Sequence, residues 1–177
     1  MSSMPYPYDA EQPAAECQVA QAPEIPTAVV SKPDFPMYEM PTLMDGTFSH
    51  LVEVLAEAGL RPIGPAFALH HRAPVATADL EVGFPIDAPL TDTLTLPSGY
   101  EVTGSVLPAG RVGWISHVGG YGGLAEKWGS FTEDIGESEE QMTYPFWEFY
   151  VTPPAPGVNP AALRTDLFSQ LEPRDDA

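Results

Sequence analysis

The chain has 177 residues, 25 Asp+Glu against seven Lys+Arg, and a formal net charge of −18. A field of that sign repels phosphate backbones and favours cations, so direct nucleic-acid binding is not expected. A single cysteine, Cys17, excludes an internal disulfide or a thiolate metal cluster, and a hydrophobic content of 44% suffices for one domain with a core.

Residues 1–15 are rich in Pro, Ser and Ala without periodicity and read as a flexible amino-terminal tail. No basic stretch, apolar leader segment or long apolar run is present, so the protein reads as soluble and cytoplasmic, without a membrane partner. Cys17–Ala20 and Thr27–Ser31 suggest short strands, and prolines at 33, 36 and 41 predict an irregular segment after them. A helix is predicted from Thr42 to Gly59, with Met44, Phe48, Leu51 and Leu55 at spacings of 4, 3 and 4 on one stripe. Strands follow at Gly64–His71 and Asp79–Ile86, then a loop over 87–98. Tyr100–Leu107 and Arg111–His117 are the next strands, and Gly119–Gly123 opens a second helix striped by Leu124, Trp128, Phe131 and Ile135. The glycine run lacks the Lys-Ser/Thr of a phosphate loop and reads as a hinge.

An acidic loop from Glu137 to Gln141 leads into Thr143–Val151, which holds five aromatic residues around one carboxylate, Glu148. As a strand it places Phe146, Glu148 and Tyr150 on one face and Trp147 and Phe149 on the other. An acid among rings is costly to bury unless it is hydrogen-bonded, paired or offered to a cationic guest. A loop from Pro153 to Pro160 and a last strand over Ala162–Leu171 complete the chain before a short tail at 174–177. His70 and His71, as strand neighbours, point to opposite faces and cannot chelate one ion, so no metal and no cofactor is expected.

A shift of 80 residues superposes the halves: Met44 on Leu124, Phe48 on Trp128, Leu51 on Phe131, Leu55 on Ile135, Phe67 on Trp147 and Leu69 on Phe149. The final strand takes a shift of 83, which puts Leu80 on Leu163. The fold class is therefore α+β: two pseudo-twofold strand–helix–strand–strand modules, about 16–87 and 99–173, sharing one antiparallel sheet with both helices on one face. Phe67/Leu69 and Trp147/Phe149 are expected in the helix–sheet core. Ala66, Ala68 and His70 would then face Phe146, Glu148 and Tyr150 on the uncovered side. Alanines opposite large aromatic residues leave room for a guest, which describes a ligand cleft between the modules.

With these residues identified, the chain resembles the GyrI-like (gyrase-inhibitor-like) small-molecule-binding domain, the effector-binding module of multidrug-responsive regulators of the BmrR and Rob type. The resemblance is carried by Ala58–Phe67, Asp79–Pro85, Leu107–Val112, His117–Leu124, Phe146–Tyr150 and Leu163–Leu167, in the family's order over residues 17–173. It implies an aromatic cleft in which a glutamate, here Glu148, faces lipophilic and often cationic compounds. It also implies Tyr121 near the cleft and allows Trp147 as an aromatic cap. Where relatives often carry a tyrosine, this chain has His70, which suggests a more polar, pH-responsive rim. The expected role is capture of small hydrophobic or cationic molecules, with the oligomeric state open and a monomer sufficient. Some stand-alone relatives look like hydrolases that open the cyclopropane ring of DNA-alkylating natural products. In that alternative Glu148 acts as general acid or base, with Tyr150 or His70 as hydrogen-bond partner.

Overall fold

Aromatic and β-branched residues at alternating positions put the larger part of this chain's regular structure into strands. The computed structural model describes residues 4–152 and 157–173. Residues 1–3 of the expected amino-terminal tail, the expected tail at 174–177 and residues 153–156 of the expected loop lie outside them. Among the described residues nine strands form one sheet: β1 (Gln18–Ala22), β2 (Ile25–Pro36), β3 (Phe67–His70), β4 (Thr77–Pro85), β5 (Leu94–Thr95), β6 (Glu101–Leu107), β7 (Gly110–Val118), β8 (Glu140–Tyr150) and β9 (Arg164–Pro173). Their order is β1-β7-β9-β8-β3-β4-β2-β6-β5, antiparallel throughout. Among the described residues three α-helices accompany them: α1 (Met40–Phe48), α2 (Leu51–Glu57) and α3 (Leu124–Gly136). None is long and apolar enough to cross a membrane among the described residues.

The single first helix expected from Thr42 to Gly59 is broken at Ser49–His50 into α1 and α2. Ser49 Oγ donates to the carbonyl of Asp45 at 2.7 Å, a back-bond that bends helices. The apolar stripe survives the break, with Leu51 and Leu55 fully buried. β2 runs on past the expected stop at Ser31. It absorbs Pro33 in a register shift between Lys32 and Phe35, where Asp34 adopts φ 48°. Beyond Val29 it pairs with β4 alone, and a free edge tolerates proline. Pro145 likewise sits in the register shift of β8 between Met142 and Phe146.

The halves meet at β3 and β8, where Phe67 pairs with Phe149, Ala68 with Glu148, Leu69 with Trp147 and His70 with Phe146. Each half is strand–helix–strand–strand, β2-α1/α2-β3-β4 and β7-α3-β8-β9. The outer strands cross over: β1, which precedes the first half, pairs with β7, and β6, which precedes the second, pairs with β2. The register also corrects the repeat in its last strand. Val82 lies opposite Ala68 and Leu167 opposite Glu148, so the shift there is 85 (167 less 82) rather than 83. A slip of two keeps every side chain on its face.

The face assignment is inverted. α1 and α2 pack on Ala28, Val30, Ala68, Leu80 and Val82, and α3 packs on Ile115, Leu167 and Leu171. These belong to the face of Ala68 and Glu148. Phe67, Leu69, Trp147 and Phe149 point to the other side, into a separate cluster with Trp114 and Phe168. There the rings of Trp147 and Phe168 stack at 6.0 Å and those of Phe168 and Trp114 at 5.5 Å. That side is not bare, because residues 4–14 cover it. Met4 is buried and Tyr8 half-buried, and the Tyr8 ring lies 4.9 Å from Phe168 and 5.4 Å from Phe149. Arg164 donates to the carbonyls of Glu11 and Ala10 at 2.9 and 3.1 Å, and the Ala14 amide donates to Ser116 Oγ at 2.9 Å. Residues 4–14 of the segment expected as a flexible tail therefore lie docked on the sheet. With both faces covered, alternation cannot tell which one carries the helices.

Candidate functional site

Glu148 stands at the centre of the helix-covered face, in the gap between α1 and α3. The repeat equates it with Ala68, and the β3–β8 register pairs it with Ala68 as well. Equivalent residues face each other directly only where the pseudo-twofold axis passes, so Glu148 and Ala68 are the axial pair. The carboxylate accepts two hydrogen bonds, Oε1 from the Tyr150 hydroxyl and Oε2 from Trp128 Nε1, both at 2.9 Å. Both donors are neutral. They lower the cost of removing the carboxylate from water but do not cancel its charge. Among the described residues no Lys, Arg or His forms an ion pair with it. Burial, and then the neighbouring Glu148 charge, push the Tyr150 hydroxyl well above the usual tyrosine range, so it stays protonated and donating. The same two causes, in the same order, raise Tyr121.

Two cavities flank this carboxylate. The first, of about 700 Å³, lies between Met44 and Phe48 of α1 and, across from them, Tyr121 in the turn before α3 and Leu124 at its start, floored by Ala66, Glu148 and Tyr150. Its walls are almost wholly apolar, and the Tyr121 and Tyr150 rings meet edge to face at 6.1 Å. The second, of about 620 Å³, lies on the other side of Glu148, against His70, Phe146 and Trp128. Glu148 and Leu124 border both.

Of the residues singled out from sequence, Glu148, Tyr150, Tyr121 and Ala66 come together in the first cavity, and His70 and Phe146 border the second. Ala68 is buried beneath the helices, opposite Glu148. Trp147 is fully buried on the opposite face and cannot cap a ligand here. His70 is no rim residue: it is 7% exposed and stacks on Phe146 at 5.1 Å. Burial, then the charges of His71 and Arg72, push it down to about 4, so it is neutral at pH 7. Its neighbour His71 points the other way, to Glu81 at 2.6 Å. From the sequence, Met44, Phe48, Leu124 and Trp128 are marked only as helix-core stripe residues. Their signal was present in the repeat and was hidden by the inverted face.

No family model matches the chain, and no curated protein matches it in sequence. Solved structures do match in fold. The EcmrR C-terminal domain has a TM-score of 0.68 at 13% identity, over 90% of this chain and 98% of that domain. The fold is GyrI-like. EcmrR in its DNA complex gives a TM-score of 0.72 at 14% identity, with 90% of this chain covered, and there the chain spans only 58% of the neighbour's length. SAV2435 bound to tetraphenylphosphonium shares the GyrI-like fold with a TM-score of 0.63 at 9% identity, covering 89% of this chain and 94% of that one. A hydrolase from Listeria innocua does so with a TM-score of 0.58 at 12% identity, covering 92% and 94%.

Proposed function

We propose that the chain captures lipophilic cations between α1 and α3, with Glu148 as countercharge. One observation carries this reading: a carboxylate held by two neutral donors, without a cationic partner among the described residues, at the floor of an apolar cavity. SAV2435, which shares the fold, is bound to tetraphenylphosphonium, a cation of that class. Covering about 300 Å² of aromatic ligand surface at ~25 cal/mol/Å² gives roughly 7 kcal/mol before the cost of association. Apolar burial therefore supplies most of the affinity, and Glu148 with the Tyr121 and Tyr150 rings selects for charge.

In calorimetric titrations, Glu148→Gln should weaken tetraphenylphosphonium by about tenfold or more and leave neutral triphenylphosphine oxide within about twofold. Equal losses for both compounds would overturn the countercharge role. The formal net charge of −18 favours a small-molecule partner over direct contact with DNA.

A second reading is favoured by the Tyr150–Glu148 hydrogen bond and by the hydrolase of like fold. In it Glu148 takes a proton from water as the water oxygen bonds to a cyclopropane carbon, the ring C–C bond breaks with its electron pair passing to the conjugated carbonyl, and that oxygen takes up a proton from Tyr150, which Glu148 returns. Glu148→Ala should then abolish turnover of a cyclopropane-bearing alkylating compound, followed by chromatography. Recovery of that compound unchanged from the wild type removes this reading for it.

A further inference from the structure

The second cavity is the pseudo-twofold counterpart of the first. Tyr150, Ala66, Phe48 and Met44 border the first, and the residues the repeat equates with them, His70, Phe146, Trp128 and Leu124, border the second. The match runs through both strand and helix and has Glu148 on its axis. The carboxylate is thus central to a two-lobed space and does not close the end of one pocket.

The lobes differ in chemistry. The first is walled by apolar side chains and two tyrosines. The second contains a buried imidazole whose Nδ1 has no hydrogen-bond partner. That nitrogen is sealed from the lobe, so a ligand here meets the ring's other nitrogen, Nε2, which has no side-chain or backbone partner among the described residues and is free to take a ligand hydrogen bond. His70 is neutral at pH 7 and so does not repel a neighbouring cation. Its flat stack on Phe146 fixes the ring plane at the cavity wall. Leu124 and Glu148 border both lobes, so a ligand that spans them passes along these two side chains.

We propose that the site takes cations with two flat arms, the charge between them at Glu148, one apolar arm in the first lobe and a nitrogen heteroaromatic arm against His70 in the second. This rests on the cation-capture reading and adds to it which shape of cation is selected.

The test compares three quaternary ammonium probes by titration: (naphthylmethyl)trimethylammonium, bis(naphthylmethyl)dimethylammonium, and the latter with one naphthalene replaced by quinoline. The second arm should raise affinity about tenfold or more, and quinoline should exceed naphthalene by about threefold. Ala125 borders only the second cavity and lies on the exposed surface of α3. Ala125→Trp should fill that lobe and remove the gain from the second arm while sparing the one-armed probe. His70→Phe, which keeps the stack on Phe146, should make quinoline and naphthalene arms equal. Equal affinity of one- and two-armed probes, or a gain that survives Ala125→Trp, overturns the two-lobed site alone. A quinoline preference that survives His70→Phe, or none in the wild type, overturns the role of His70. Failure of tetraphenylphosphonium and all three probes to bind overturns the capture reading and this inference with it.

Discussion

Across the axis between the two halves, Phe146 stands where Ala66 stands, Tyr150 where His70 stands, Trp128 where Phe48 stands, and Glu148 where Ala68 stands. The backbones match and the side chains do not. At the axial position the reason is electrostatic. A residue on the axis faces its own copy as a cross-strand pair, with Cβ atoms typically about 4.5–5.5 Å apart. Two glutamates there would repel and drive one to protonate, so a lasting negative charge needs one half to give the position up. Ala68 is that concession, and the donors to the remaining acid, Trp128 and Tyr150, both come from the second half. The off-axis positions follow steric logic: Ala66 leaves the first cavity open where Phe146 narrows the second.

The largest predicted effect separates the two faces, not the two halves. Trp147 and Trp128 both come from the second half, but Trp147 is fully buried in the layer beneath residues 4–14 and Trp128 is half-buried beside the cavity. Trp147→Ala should cost about 3–5 kcal/mol of stability as a truncated core aromatic, read as a fall in the urea midpoint. Trp128→Ala should cost about 1–2 kcal/mol and change ligand affinity more than stability. A Trp147→Ala variant as stable as Trp128→Ala would mean that the ring layer is not a core.

Next in size is the difference between His70 and its counterpart Tyr150, which stays neutral at ordinary pH. His70 has its folded value lowered to about 4, against 6.5 for a free side chain. Between those values the unfolded chain takes up a proton that the folded chain refuses. The neutral ring's contribution is therefore complete above pH 6.5 and is lost as pH falls towards 4. A shift of that size corresponds to roughly 3 kcal/mol. His70→Phe should remove that part of the acid sensitivity, seen by comparing urea midpoints of wild type and variant at pH 7 and pH 4.5. Parallel changes in both proteins would show that His70 titrates freely in the fold.

Much of this architecture was legible in the sequence because the helix stripes and the strand alternation repeat with one offset. Glu148 stood out because its nine-residue strand surrounds an acid with rings. The face was not legible. A period of two states which residues share a side, not which side a helix covers, and residues 4–14 showed no pattern because a docked irregular segment needs only anchors such as Met4 and Tyr8. Trp147 and His70 were misplaced for that single reason. The break at Ser49 was equally silent, since the stripe passes through it unchanged.

The smallest effect tests the axis itself. Moving the acid across it, with Ala68→Glu and Glu148→Ala together, presents a carboxylate to Phe48 and His70, where the native one meets Trp128 and Tyr150. Losing those two donors should cost about 1–3 kcal/mol and abolish the preference for cations over neutral ligands. Adding Phe48→Trp and His70→Tyr rebuilds the donor pair on the first half and should return about 1–2 kcal/mol with part of that preference. Recovery cannot be complete: Phe48 packs edge to face on Phe84 at 5.4 Å, and an indole in its place strains that contact. If the four-residue variant recovers neither stability nor cation preference relative to the two-residue one, the symmetry is only a property of the backbone. The donors of the second half would then depend on surroundings that the first half does not reproduce.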